Sequence, residues 1–112
     1  MRALVAGLIA FNLGSLVLSS AGFKWSADSS DWWGFLLGQV VGNGAGFIAV
    51  LALTGMIREI SSYRAYAIHF GLGFVLAEVL LAGLFFHEHL GWPQFVGILL
   101  VFGGVLMITL WR

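Results

Sequence analysis

The sequence of 112 residues has no cysteine, one proline and few charges: aspartate, glutamate, lysine and arginine together make up 9% of it. Without cysteine, disulfides and thiolate metal sites are excluded, and nothing can be read about redox compartment. Formal net charge is zero and there is no basic tract, so nothing points to nucleic acid. No nucleophile–base pair, phosphate loop or dinucleotide fingerprint occurs, so the chain is read as a non-enzyme with no cofactor. What fills the chain instead is apolar. Hydrophobic residues make up 61% of it, and the mean hydropathy is +1.03. A small water-soluble domain keeps too much surface exposed to hide that share. Sixteen glycines fit close helix packing in lipid.

The expected fold is an all-α membrane protein with four transmembrane helices and short loops. It forms a single domain over 1–112, with helices at about 3–21, 32–57, 65–86 and 93–111. The first segment has an alternative reading as a signal peptide, with Arg2 as the basic start and Ser19 and Ala21 as small residues before a cut. Its apolar run is slightly long for that, and it is read as a span. Asn12, Ser15 and Ser19 recur at i, i+3 and i+7, which gathers polar side chains on one face for bonding to another helix or for lining a polar pathway. The stretch Gly22–Asp31 is the plainly hydrophilic loop. Its Ser-Ser-Asp end suits a helix N-cap, and Trp25, Trp32 and Trp33 suit an interfacial belt.

The second span carries Gly34, Gly38, Gly42 and Gly46 at every fourth position, a small-xxx-small stripe that admits another backbone closely. Gln39 and Asn43 run beside it, for an interhelical hydrogen bond or a substrate cavity. Thr54 is expected to bond back to its own helix. The short loop 58–64 makes the second and third spans antiparallel neighbours.

The third span holds the one acid inside an apolar run, Glu78. Placing a charged group there costs about 2.5–3.5 kcal/mol, which marks it as a functional candidate. The alternative is an acid hydrogen-bonded to a neighbouring helix. Phe74 lies one turn away and would wall a ligand space beside it. His69 stands nine residues from Glu78, on the opposite face of a regular α-helix, and is expected to be interfacial or hydrogen-bonded. His87-Glu88-His89 invites a metal reading, but a metal needs three or four ligands and no other histidine or cysteine is near in sequence; no metal is expected. Pro93 suits the first turn of the last helix, where Gly97 and Gly104 share a face for packing or dimerisation. With four spans, Arg2, Arg58, Arg64 and Arg112 lie on one side and Lys24 on the other, which places both termini in the cytoplasm.

Three stretches resemble the small multidrug resistance family of the drug/metabolite transporter superfamily. Arg64-Ala65-Tyr66-Ala67-Ile68 is similar to the family's start of helix three. Phe85-Phe86-His87-Glu88-His89-Leu90 is similar to the aromatic–x–acid–x–leucine end seen across the superfamily. The run 97–105 is similar to the family's helix-four dimerisation stretch. In the first half, Ala10-Phe11-Asn12-Leu13-Gly14-Ser15 stands against an alanine–glutamate–x–x–glycine–threonine pattern, so Phe11 occupies the position of the helix-one glutamate of the family's exporters.

The resemblance implies a transporter or flippase subunit in the inner membrane, moving a lipid-linked or amphipathic small molecule. It would work as a homo- or hetero-dimer through its glycine-striped helices, with the lipid bilayer as its surroundings. Glu78 would be the ionisable group, and Asn12, Gln39 and Asn43 the polar contacts. The second reading is a non-transporting accessory subunit of a larger membrane complex.

Overall fold

The structure, a computed structural model, describes residues 2–77, 79 and 91–110. Its elements are helices α1 (Arg2–Asp28), α2 (Trp32–Glu59), α3 (Ser62–Tyr66), α4 (Gly73–Leu76) and α5 (Trp92–Leu110), with a π-helical segment (Ala67–Leu72) between α3 and α4. No strand occurs among the described residues. At 1.5 Å per residue, α1 and α2 run about 40 Å and α5 about 28 Å, against a hydrocarbon core of about 30 Å. These three are the helices long and apolar enough to cross a membrane among the described residues. The α3–π–α4 rod covers 62–76 without leaving right-handed helical dihedrals at its junctions. The rest of the expected third span, Glu78 included, lies outside the described residues, apart from Ala77 and Val79.

Helix α1 continues through Asp28, where the hydrophilic composition of 22–31 predicts a loop. The cause is local. Lys24 and Asp28 form an i,i+4 ion pair at 3.4 Å, and the Ser29 hydroxyl donates back to the Trp25 carbonyl at 2.8 Å. Asp31 then caps α2: its extended backbone turns the chain and its Oδ1 accepts from the Gly34 amide at 3.1 Å.

So tight a link folds α1 and α2 into an antiparallel hairpin, joined by a ladder of polar rungs. Asn12 Nδ2 donates to the Ala49 carbonyl (2.7 Å), Ser19 Oγ to the Gly42 carbonyl (2.6 Å) and Ser26 Oγ to the Phe35 carbonyl (2.8 Å). The donors are seven residues apart on α1 and the acceptors seven apart on α2. That repeat of two helical turns keeps one seam facing the partner. Glycine makes the approach possible. A Cβ added at Gly38 would lie 2.5 Å from the Ser26 amide nitrogen, and one at Gly22 would lie 2.5 Å from the Gly42 nitrogen. Backbone therefore meets backbone across the seam, and lipid gives no hydrophobic drive to replace that contact.

At the other end of the hairpin, Leu53 and Met56 of α2 pack with Ala65 and Ile68 of the third rod, closed by Leu8, Ile9 and Leu13 of α1. Gly73 lies against Leu16 of α1, and Gly71 lies against Val105 of α5. A cavity of about 350 Å³ has Val5, Ile60, Arg64, Thr109 and Leu110 in its wall, which brings the start of α1, the turn after α2 and the end of α5 to one end of the molecule. Helix α5 is mostly uncovered: Ile98 and Val105 are its buried residues among those described.

Candidate functional site

Three elements meet at Asn12. The side chain is fully buried on α1, and its amide nitrogen has two hydrogens to give. One goes to the Ala49 carbonyl of α2, the other to Nδ1 of His69 in the π segment, at 2.8 Å. Because a carbonyl only accepts, Ala49 fixes which way the amide points. Because the amide nitrogen only donates, Asn12 in turn fixes the imidazole: Nδ1 carries the lone pair and Nε2 carries the proton. The Asn12 Oδ1 is buried and has no partner among the described residues.

His69 is buried, with Phe70 edge-on to its ring at 4.6 Å between centroids. The π winding around it is the kind of irregularity that clusters at functional sites, since each such turn admits an extra residue and re-aims the next stretch of helix.

Beside this node an open cavity of about 340 Å³ lies between α1, α2 and the π segment. Ser19, Asn43 and His69 supply its polar lining, and Phe23, Phe47 and Val50 are among its apolar walls. A polar chain leads away from it along the hairpin. Asn43 Nδ2 donates to the carbonyl and the side-chain oxygen of Gln39 (2.9 and 3.2 Å), and Gln39 Nε2 donates to the Ser26 hydroxyl (3.1 Å).

Of the residues singled out in the sequence, Asn12 sits in the node, Asn43 lines the cavity, and Gln39 bridges α2 to α1 rather than lining it. Phe74 is about half exposed on α4. Its expected partner Glu78 lies outside the described residues, as does His87-Glu88-His89. Among the described residues no three histidines or acids gather as metal ligands. Gly34, Gly38, Gly42 and Gly46 all face the α1 side of the hairpin or its turn, whereas a Cβ added at Gly97 or Gly104 would meet nothing within 4 Å. Thr54 bonds back to the Val50 carbonyl at 3.0 Å. His69 joins the site although the sequence offers it as an interfacial or hydrogen-bonded histidine away from Glu78. The signal for it is a buried-type polar residue in an apolar run; its partnership with Asn12, 57 residues away, leaves no trace in the local pattern.

A family model described as Small Multidrug Resistance protein matches residues 7–101. The chain belongs to the small multidrug resistance family. That match reaches into all four expected helices and makes this a multi-pass membrane protein of a family of small transporters. No curated protein and no solved structure matches the chain. Phe11 is 61% exposed, while its neighbour Asn12 is buried in the node.

Proposed function

We propose that the protein is a membrane transporter or flippase subunit that moves an amphipathic or lipid-linked small molecule and works as a dimer in the inner membrane. Both termini are cytoplasmic in this reading. The carrying observation is the open cavity beside Asn12 and His69, with a polar lining inside a lipid-exposed hairpin. Polar groups at membrane depth are costly, and where they face a cavity they mark a substrate path. Moving a solute needs no covalent step, and the chain is read as a non-enzyme. Glu78 is the ionisable group that the sequence places in the third span, and it would couple proton movement to transport.

The test is a flux assay in proteoliposomes with a fluorescent amphipath. Glu78→Gln keeps shape and hydrogen bonding while removing titration, so it should assemble normally and lose pH-dependent flux. Glu78→Ala would then show no additional defect in coupling. Under a purely structural role the order reverses: Gln is silent, and Ala destabilises by about 1–3 kcal/mol through an orphaned partner. Full pH-dependent flux in the Gln variant would end the coupling role.

One observation favours the second reading, an accessory subunit. At the position of the exporters' acid this chain presents Phe11, exposed on the outside of the hairpin. Purification separates the two: a self-dimer with bound lipid supports transport, and a fixed hetero-complex supports the accessory role.

A further inference from the structure

We infer that His69 is a proton-binding site that Asn12 reads out: a proton on Nδ1 turns the Asn12 amide over and breaks the bond it makes to α2. This site does not depend on the transporter reading, because its groups all belong to the node where α1, α2 and the π segment meet.

One lone pair in the node can be claimed by two different hydrogens. In the neutral ring Nδ1 accepts from Asn12 Nδ2 at 2.8 Å, and the same amide nitrogen donates to the Ala49 carbonyl at 2.7 Å. When a hydronium ion gives its proton to that lone pair, it leaves as water, Nε2 keeps its hydrogen and the ring carries one positive charge. Nδ1–H then faces an amide nitrogen that only donates, and the two repel. Asn12 also holds the acceptor that would relieve this. Its side chain is fully buried, and Oδ1 has no partner among the described residues. Turning the amide over presents Oδ1 to Nδ1–H, and a bond from a charged donor is stronger than the neutral bond it replaces. The same turn sets Oδ1 against the Ala49 carbonyl, two acceptors with no hydrogen between them. The rung at Asn12 therefore opens. The rungs at Ser19 and Ser26 join hydroxyls to carbonyls, which do not titrate, and they stay.

The open cavity of about 340 Å³ that His69 lines gives a proton its way in. The described groups that face the ring are Asn12 of α1 and Phe70 of its own segment, with Ser19 and Asn43 across the cavity; none of them titrates near neutral pH. Tyr66 reaches the ring only through Phe70, on which it stacks. Residues 73–76 of α4 have no ionisable side chain, and α5 meets the π segment at Gly71 through Val101 and Val105. Glu78, His87, Glu88 and His89 lie outside the described residues, and variants test their influence directly.

The experiment is nitrogen NMR of the full chain in lipid nanodiscs, with isotope label in histidine and asparagine side chains alone. Few signals arise: those of His69, His87 and His89, and of Asn12 and Asn43. His69 is identified by its loss in His69→Gln and is expected as the Nε2–H tautomer at about pH 8. Toward about pH 5 it should become an imidazolium, and the Asn12 amide should shift with the same midpoint while Asn43 stays in place. His69→Gln keeps an acceptor for Asn12 but does not titrate, so the Asn12 signal should then hold constant across that range. Asn12→Ala removes the group that selects the tautomer, and neutral His69 should become a mixture of both forms. Glu78→Gln and the triple variant His87→Gln/Glu88→Gln/His89→Gln should each leave the paired shift of His69 and Asn12 intact. Three results overturn the proposal: His69 neutral throughout, His69 titrating while Asn12 stays still, or an Asn12 shift that persists in His69→Gln. Loss of the paired shift in Glu78→Gln overturns it as well, since the proton would then belong to Glu78.

Discussion

At the scale of single residues, Asn12 decides more than any other described side chain. It ties α1 to α2 and to the π segment through one nitrogen, and it fixes the tautomer of His69. Asn12→Leu keeps the volume roughly but removes both bonds and leaves Nδ1 of a buried imidazole unpaired. The expected loss is about 1–3 kcal/mol of stability, read as a lower unfolding midpoint in detergent. Ser15, half-buried on the same helix, should tolerate alanine within about 0.5 kcal/mol. Equal effects at both positions would mean that the node contributes nothing particular. Much of this was legible: Asn12 and Ser19 stand out as polar residues in an apolar run, and a helical wheel puts them on one seam. Ser26 belongs to the same seven-residue series, but its hydrophilic neighbours Lys24, Asp28 and Ser29 hide it in what reads as a loop. The bond to His69 was not legible, because it depends on which turn of a distant helix comes to rest against Asn12.

At the scale of elements, the glycine stripe of α2 is the clearest case of sequence becoming packing. Its period of four is visible without a structure. What period alone could not tell is the surface it meets, which is α1 of the same chain and, at Gly34, the turn that follows it. The closeness differs sharply between glycines, and that gives a paired prediction. Gly38→Ala places a methyl 2.5–2.6 Å from the Ser26 backbone, where nothing flexible can yield, and should cost about 1–3 kcal/mol as overpacking. Gly44→Ala meets nothing within 4 Å and should leave the unfolding midpoint unchanged or slightly raised, since alanine is the better helix former. Similar midpoints for the two variants would refute the seam. The π segment is the opposite case. Angular arithmetic at 100° per residue assumes α winding, and Ala67–Leu72 departs from it, so the face on which His69 ends up could not be computed from its position in the chain.

For the whole molecule, the question is what covers α5. In this chain it buries only Ile98 and Val105 among its described residues, while Leu99, Leu100, Met107 and Leu110 are each about two-thirds exposed or more. Lipid tails can cover those side chains at no cost, so exposure alone requires no partner. The glycines add a second consideration. Gly97 and Gly104 lie two turns apart on one face, and a Cβ at either would meet no described neighbour within its own chain. Glycine lowers helix stability by about 1 kcal/mol relative to alanine, so two of them with no such contact fit a close approach by a second helix. If α5 joins two copies, Gly104→Leu should weaken self-association by about tenfold, measured by energy transfer between labelled chains diluted in lipid vesicles. The same variant should leave the chain's own unfolding midpoint in place, because a Cβ added at Gly104 meets no described atom within 4 Å. Gly38→Ala should do the reverse, lowering the midpoint first and association only through it. An unchanged dimer in the double variant Gly97→Leu/Gly104→Leu would remove α5 from the interface. The exposed rim of the hairpin, where Val40, Phe47 and Leu51 stand on α2, would then be the surface to test.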